Sequence, residues 1–304
     1  MRSNLLITLA IVAPLSACGV QRKPTSIRDH SDAALSSVAA IKDYQIGPEW
    51  GKRATTRDGL SQETAVVQRA SKATVRVRLM FGGATGFVLG ERGGKILFAT
   101  NHHVIEDQGT CDGAKITFEM LGLPEYQCDE VITTSTDLDL TIFTVKGIAD
   151  SDRAAVLAVA KSFSTQPPKK GAGIVTVGNG VAGNPSQRSL MIGMDSDCKV
   201  YSPDGETRYM ADPDTYNPGP YMTWMFATGC DVSHGDSGSA MVDRATGEVV
   251  GIISTGKIPK NPVVREAAFL TRIFDESAEE VWQELSYAVP ASKILEVVGD
   301  SLPQ

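Results

Sequence analysis

The run CDVSHGDSGSAMV, residues 230–242, sets Ser237 between Asp236 and Gly238 and then turns apolar. A serine hydroxyl is a weak nucleophile until an adjacent base takes its proton, and that base needs a third group to orient it. Gly235 lets the backbone bend so that neighbouring N–H groups can aim at the oxyanion such an attack develops. The same residue types also suit a plain surface turn. The chemical reading therefore requires a histidine elsewhere, and the chain has four: His30, His102, His103 and His234. His30 lies in an N-terminal stretch without sustained period, which leaves three. His102 and His103 stand in KILFATNHHVIED, directly after a strand-like run, with apolar Val104 and Ile105 behind them to hold a ring in place.

The elements that must position these residues read as strands. TVRVRLMF, GFVLG, KILFAT, KITFEM, LTIFTV, GIVTVG, SLMIGM, YMTWMFAT, SAMVD, EVVGIIST and YAVP are short apolar or alternating runs. Gly, Pro, Asp and Asn punctuate them, as expected of antiparallel hairpins. Many short strands and few long helices predict an all-β sandwich or barrels. A short helical pattern precedes the first strand, opened by capping-box-like Ser61 and Glu63/Thr64. Helical character returns around DESAEEVWQEL and in a last helix running from Pro290 to Gly299.

The 304 residues are 42% hydrophobic and 21% charged, with a formal charge of −7. That is an ordinary composition for a globular chain with a substantial core. No Lys/Arg-dense patch supports a nucleic-acid partner. The N-terminus, MRSNLLITLAIVAPLSACG, carries one basic residue, Arg2, and an apolar stretch from Leu5 to Leu15 too short to span a bilayer. We read residues 1–17 as a signal peptide. Residues 18–60, polar and alanine-rich with Pro24 and Pro48, are expected to be a poorly ordered tether before a domain at 61–304.

Leu15-Ser16-Ala17-Cys18 resembles the bacterial lipobox, in which the cysteine becomes the lipidated first mature residue. The resemblance implies a palmitate-bearing lipoprotein held to the membrane by several acyl chains on Cys18. Gly19, rather than Asp, after the cysteine points to the outer membrane of a bacterial cell envelope, facing the periplasm or the exterior. Four further cysteines, Cys111, Cys128, Cys198 and Cys230, are even in number in an exported chain. They predict two disulfides, and sequence proximity favours Cys111 with Cys128 and Cys198 with Cys230. No C-x-x-C spacing suggests a metal site.

Six ordered motifs carry a wider resemblance. TGFVL (85–89), ATNHHVI (99–105), DLTIFTV (139–145), GDSGSAMV (235–242), GEVVGIIST (247–255) and SYAVPASKI (286–294) resemble, in order, those of the chymotrypsin-fold serine peptidases. The compact bacterial branch that includes Deg-type and glutamyl endopeptidases is the nearest likeness. The resemblance implies two six-stranded antiparallel β-barrels with a C-terminal helix, and hydrolysis of peptide bonds in protein or peptide substrates without metal or organic cofactor. The family motif T-x-x-H-V points to His103 as the base and leaves His102 variable. The aspartate resembles that of D-L-A-x-L, which favours Asp139 over Asp137, although both share a strand face.

Chain order supports the assignment. No histidine follows Ser237, as an α/β-hydrolase would need, and only the order His103, Asp139, Ser237 survives. Gly235 and Ser237 would supply the oxyanion-hole N–H groups. Asp231, six residues before Ser237, resembles the carboxylate at the base of a trypsin-like pocket, with Ser254 and Gly256 on the substrate-binding strand; this suggests cleavage after Arg or Lys. His234 is a second candidate for that pocket. Asp236 resembles the residue that pairs with a freed amino terminus in zymogens, yet no matching start precedes the first strand, so an internal partner is expected. The competing reading is a catalytically inactive, lipid-anchored binding or envelope-stress module on the same fold; the presence of all three side chains argues against it.

Overall fold

Hairpins dominate because the apolar runs are short and each is closed by a turn-forming residue. The computed structural model describes residues 44–49, 51–80, 82–181, 189–212, 222–256 and 261–303. The signal peptide, Cys18 and the tether up to residue 43 lie outside the described residues. Six strands form a closed antiparallel barrel in the order β2-β3-β4-β7-β6-β5. They are β2 (Thr74–Leu79), β3 (Gly82–Arg92), β4 (Lys95–Thr100), β5 (Lys115–Thr117), β6 (Tyr126–Ser135) and β7 (Leu140–Val145). Val75, Val77, Val88, Phe98, Ile116 and Phe143 fill its interior, with the Phe98 and Phe143 rings stacked at 5.5 Å.

The second unit is an eight-stranded sheet, β1-β9-β8-β12-β13-β14-β11-β10. Its strands are β1 (Lys52–Thr55), β8 (Ile174–Gly178), β9 (Leu190–Gly193), β10 (Arg208–Ala211), β11 (Met222–Thr228), β12 (Ala240–Asp243), β13 (Val249–Gly256) and β14 (Ser286–Pro290). Where a second six-stranded barrel was expected, the described residues form one large antiparallel sheet of eight strands, with β1 and β10 at its edges. Helix α1 (Ala65–Ala73) leads into the barrel, α2 (Gln108–Gly113) and α3 (Asp150–Leu157) flank it, and α4 (Ala267–Asp275) and α5 (Ala291–Val298) belong to the C-terminal part. The expected C-terminal helix is α5. The helical pattern expected at DESAEEVWQEL shrinks to a single 3₁₀ turn at Glu279–Trp282, because Ser277, at φ 50°, breaks the chain after α4.

Both cysteine pairs form as expected, Cys111 with Cys128 and Cys198 with Cys230. The first ties α2 to β6.

One expectation is corrected: the described residues of 44–60 are not a loose spacer. Tyr44, Ile46, Lys52, Thr55 and Leu60 are buried, and β1 pairs antiparallel with β9 from Lys52↔Gly193 to Thr55↔Leu190. The segment has no apolar period to reveal this; its order comes from docking on a sheet edge and on side chains far away in sequence.

Candidate active site

The antiparallel pairing of β4 with β7 runs Phe98↔Phe143, Ala99↔Ile142 and Thr100↔Thr141, so the residues after β4 meet those before β7. His103 and Asp139 occupy those two ends. Asn101 donates from Nδ2 to the Asp139 carbonyl at 2.9 Å, and Val104 and Ile105 donate back to the Asn101 carbonyl, closing a tight turn. Val104 and Ile105 are buried, which pins the turn to the barrel while His103 stays partly exposed. Asp139 adopts φ 39°, a left-handed conformation that aspartate tolerates better than most residues.

The Asp139 carboxylate receives three donors. The His103 backbone N–H reaches Oδ1 at 3.0 Å, His103 Nδ1 lies 2.8 Å from Oδ2, and Ser254 Oγ donates to Oδ2 at 2.7 Å. With Nδ1 donating, the imidazole holds its Nε2 lone pair free to accept a proton. Burial alone would lower the His103 pKa, but the charge and hydrogen bond of Asp139, helped by the charges of Asp212 and Glu106, outweigh it and raise it above the ordinary 6.5. His102 goes the other way. Burial pushes its pKa down, and its Nδ1 sits 2.7 Å from Thr134 Oγ1. Asp137 is occupied elsewhere, accepting from the Tyr209 hydroxyl at 2.7 Å.

Ser237 sits on the turn before β12, and both structural units hold its backbone. Thr85 N–H on β3 donates to the Ser237 carbonyl at 2.9 Å, and Gly238 N–H donates to the Ile253 carbonyl on β13 at 3.0 Å. Ile253 precedes Ser254, the donor to Asp139, so the serine turn is fastened next to the His103–Asp139 pair. No hydrogen bond joins Ser237 Oγ to His103 in this structure. Catalytic contacts of this kind often tighten only when substrate is bound.

The turn's own amides are unevenly used. Asp236 N–H donates to Ser233 O, Gly238 N–H to Ile253 O and Ser239 N–H to Asp236 O. Those of Gly235 and Ser237 donate to no described group, which is what an oxyanion site requires. Gly235 is held at φ +94°, and a Cβ there would come within 2.6 Å of the Asn179 carbonyl. Thr85 Oγ1 locks the same residue by donating to the Gly235 carbonyl at 2.7 Å.

Ser254 therefore does something its place in the sequence did not reveal: it is a third donor to the aspartate. The only signal was its position in an apolar strand, where a buried hydroxyl needs a partner. Gly256 ends β13, with Val232 Cβ 3.3 Å from where its own Cβ would stand. His234 packs edge-on against Tyr44 at 5.7 Å between ring centroids.

Asp231 departs from expectation. It is 2% exposed, and its carboxylate accepts the backbone N–H of Ile46 at 2.6 Å and of Gly51 at 3.3 Å. It clasps the N-terminal strap instead of facing an open pocket. Burial, reinforced by the neighbouring charge of Asp195, raises its pKa to about 7 against the pull of those two N–H groups and of Lys52. Since the unfolded carboxyl titrates near 3.8, the folded state holds this proton more tightly, and the stabilising effect is lost as pH rises towards 7. Asp231→Asn is accordingly expected to flatten the decline in melting temperature between about pH 4 and pH 7, measured beside the unaltered chain; parallel curves for the two proteins would refute it.

The internal partner expected for Asp236 is Lys52, which nothing in the sequence singled out. Lys52 Nζ forms an ion pair with Asp236 Oδ2, and the two side chains are 1% and 3% exposed. Breaking such a pair by removing one partner typically costs about 3–5 kcal/mol.

The profile of the Trypsin-like peptidase domain matches residues 84–252, more than half of the chain. Among solved structures, the chain is similar to the Rv3671c protease in its inactive form, at TM-score 0.51 and 19% identity, covering 82% of this chain and 98% of that one. It is likewise similar to the active form of the Rv3671c protease from M. tuberculosis, at TM-score 0.50 and 17% identity, covering 84% and 92%. No curated protein sequence is significantly similar to it.

Proposed function

From the premise that this chain belongs to the Trypsin-like peptidase domain family and is a serine-type peptidase, we propose that it is an endopeptidase working through His103, Asp139 and Ser237. His103 Nε2 takes the Ser237 proton as Oγ attacks the substrate carbonyl, then returns it to the leaving amine. Asp139 keeps the tautomer and stabilises the imidazolium, and Ser254 fixes the carboxylate. The Gly235 and Ser237 N–H groups receive the oxyanion, where one donor is typically worth about 2.7–4 kcal/mol. The observation that carries this reading is the His103 Nδ1 contact to Asp139 at 2.8 Å, which favours the tautomer whose Nε2 can accept a proton.

Two outcomes test it. A serine-reactive phosphonate is expected to label the protein once, at Ser237, and to abolish hydrolysis in step; label at another residue, or none, overturns the assignment. The acid limb of kcat/KM is expected above pH 6.5, because the raised pKa of His103 keeps the base protonated to a higher pH than usual. A limb centred at or below that value would contradict the coupling to Asp139.

A preference for Arg or Lys has lost its sequence-based support, since Asp231 spends its oxygens on Ile46 and Gly51. Cleavage of a peptide library without enrichment after basic residues is the expected result. Anchoring in the bacterial envelope through a lipidated Cys18 rests on the LSAC motif alone. Mass spectrometry of the membrane fraction tests it, an unmodified Cys18 in mature protein being the contrary result.

A further inference from the structure

We propose that Lys52 is a positioning residue for the oxyanion site, a built-in cation that holds Asp236 and through it the Gly235 and Ser237 amides; this rests on the peptidase reading above. Asp236 lies between the two residues whose N–H groups are uncommitted, so where its side chain is anchored sets how both flanking peptides point. That anchor is buried and fully furnished. Asp236 Oδ2 accepts from Ser233 N–H at 2.9 Å and Ser233 Oγ at 3.0 Å, while Oδ1 accepts from Gly180 N–H at 3.1 Å. Lys52 supplies the only full positive charge in the set and also donates to Ser233 Oγ at 3.3 Å.

The cation comes from outside the catalytic turn. Lys52 begins β1, which is fixed to β9, and the preceding strap is clasped by Asp231 through Ile46 and Gly51. Without the ammonium, the carboxylate would be a buried charge with dipolar donors alone. It would then take up a proton or swing towards water, and either change loosens its hold on the Gly235 and Ser237 peptides. Because the positive charge belongs to a side chain, the turn is held in place without a newly cut amino terminus. Activity is then a property of the uncut chain around residue 52.

The consequence is specific to the chemical step. An oxyanion donor acts on the transition state, so its displacement lowers kcat and leaves KM nearly unchanged. The test uses the full chain with Lys52→Ala and Lys52→Met, a peptide substrate, and circular dichroism to score the folded fraction. We expect kcat per folded molecule to fall about 100-fold with KM within about threefold. Propylammonium chloride should restore Lys52→Ala activity at least tenfold in a saturable way that sodium chloride does not reproduce. A kcat for Lys52→Met within threefold of the unaltered chain overturns the proposal. So does a loss that tracks the unfolded fraction and resists propylammonium, since that marks a merely structural lysine. Failure of the peptidase reading has a different signature: hydrolysis by the unaltered chain that survives Ser237→Ala.

Discussion

Ser237→Ala is expected to lower kcat by about 10⁴-fold or more while leaving the melting temperature nearly unchanged. The two halves of that expectation have separate causes. Ser237 is held by its backbone, through Thr85 N–H and the neighbouring Gly238–Ile253 bond, and alanine keeps both. The hydroxyl contributes no hydrogen bond to the fold, so removing it costs little stability. In the proposed mechanism its oxygen becomes bonded to the substrate, so the chemical step has no substitute. His103→Ala should reach a similar residual rate, and the double variant should be no worse than either single one, because base and nucleophile act as a unit. Steady-state kinetics on the three variants decide it. A double variant that multiplies the two single losses would mean that His103 and Ser237 work at separate sites.

Gly238→Ala should damage the fold and the activity together. Gly238 sits at φ +84°, which costs an alanine about 1–2 kcal/mol. Its added methyl would also overlap the Thr85 carbonyl oxygen and Thr100 Oγ1, with the Thr85 carbonyl carbon 3.1 Å away. Thr85 and Thr100 are themselves joined, Thr100 Oγ1 donating to the Thr85 carbonyl at 2.7 Å, so neither yields alone. We expect a total of about 3 kcal/mol or more, which in a domain of this size lowers the melting temperature by roughly 6–12 °C. Thermal unfolding checks this. A shift below about 2 °C would show that the serine turn is not clamped between barrel and sheet as described.

Much of this architecture was legible because strand signals are local. KILFAT and LTIFTV declare themselves by β-branched and aromatic content, and in the structure they are the neighbouring strands β4 and β7. Their pairing is what lets a histidine just past one strand and an aspartate just before the other meet. The cysteine pairs were also readable, since short loops bring their ends together most easily. Lys52 was not. Nothing in KRAT distinguishes a solvated lysine from a buried one, and Asp236 is 184 residues away. Asp231 misled for the same reason: its spacing from Ser237 could be read from the chain, but the strap that occupies it could not.

Residue types and their order determined by themselves that this chain folds as short antiparallel strands, and they set His103, Asp139 and Ser237 along it in that order. Period and punctuation depend on neighbours within a few residues, so a linear string records them. Only the tertiary structure decided that Ser254 steadies Asp139, that Asp231 clasps the strap and that Lys52 charges the Asp236 site. Each of those is a choice among many chemically equivalent partners, and burial makes the choice by excluding water from all but one.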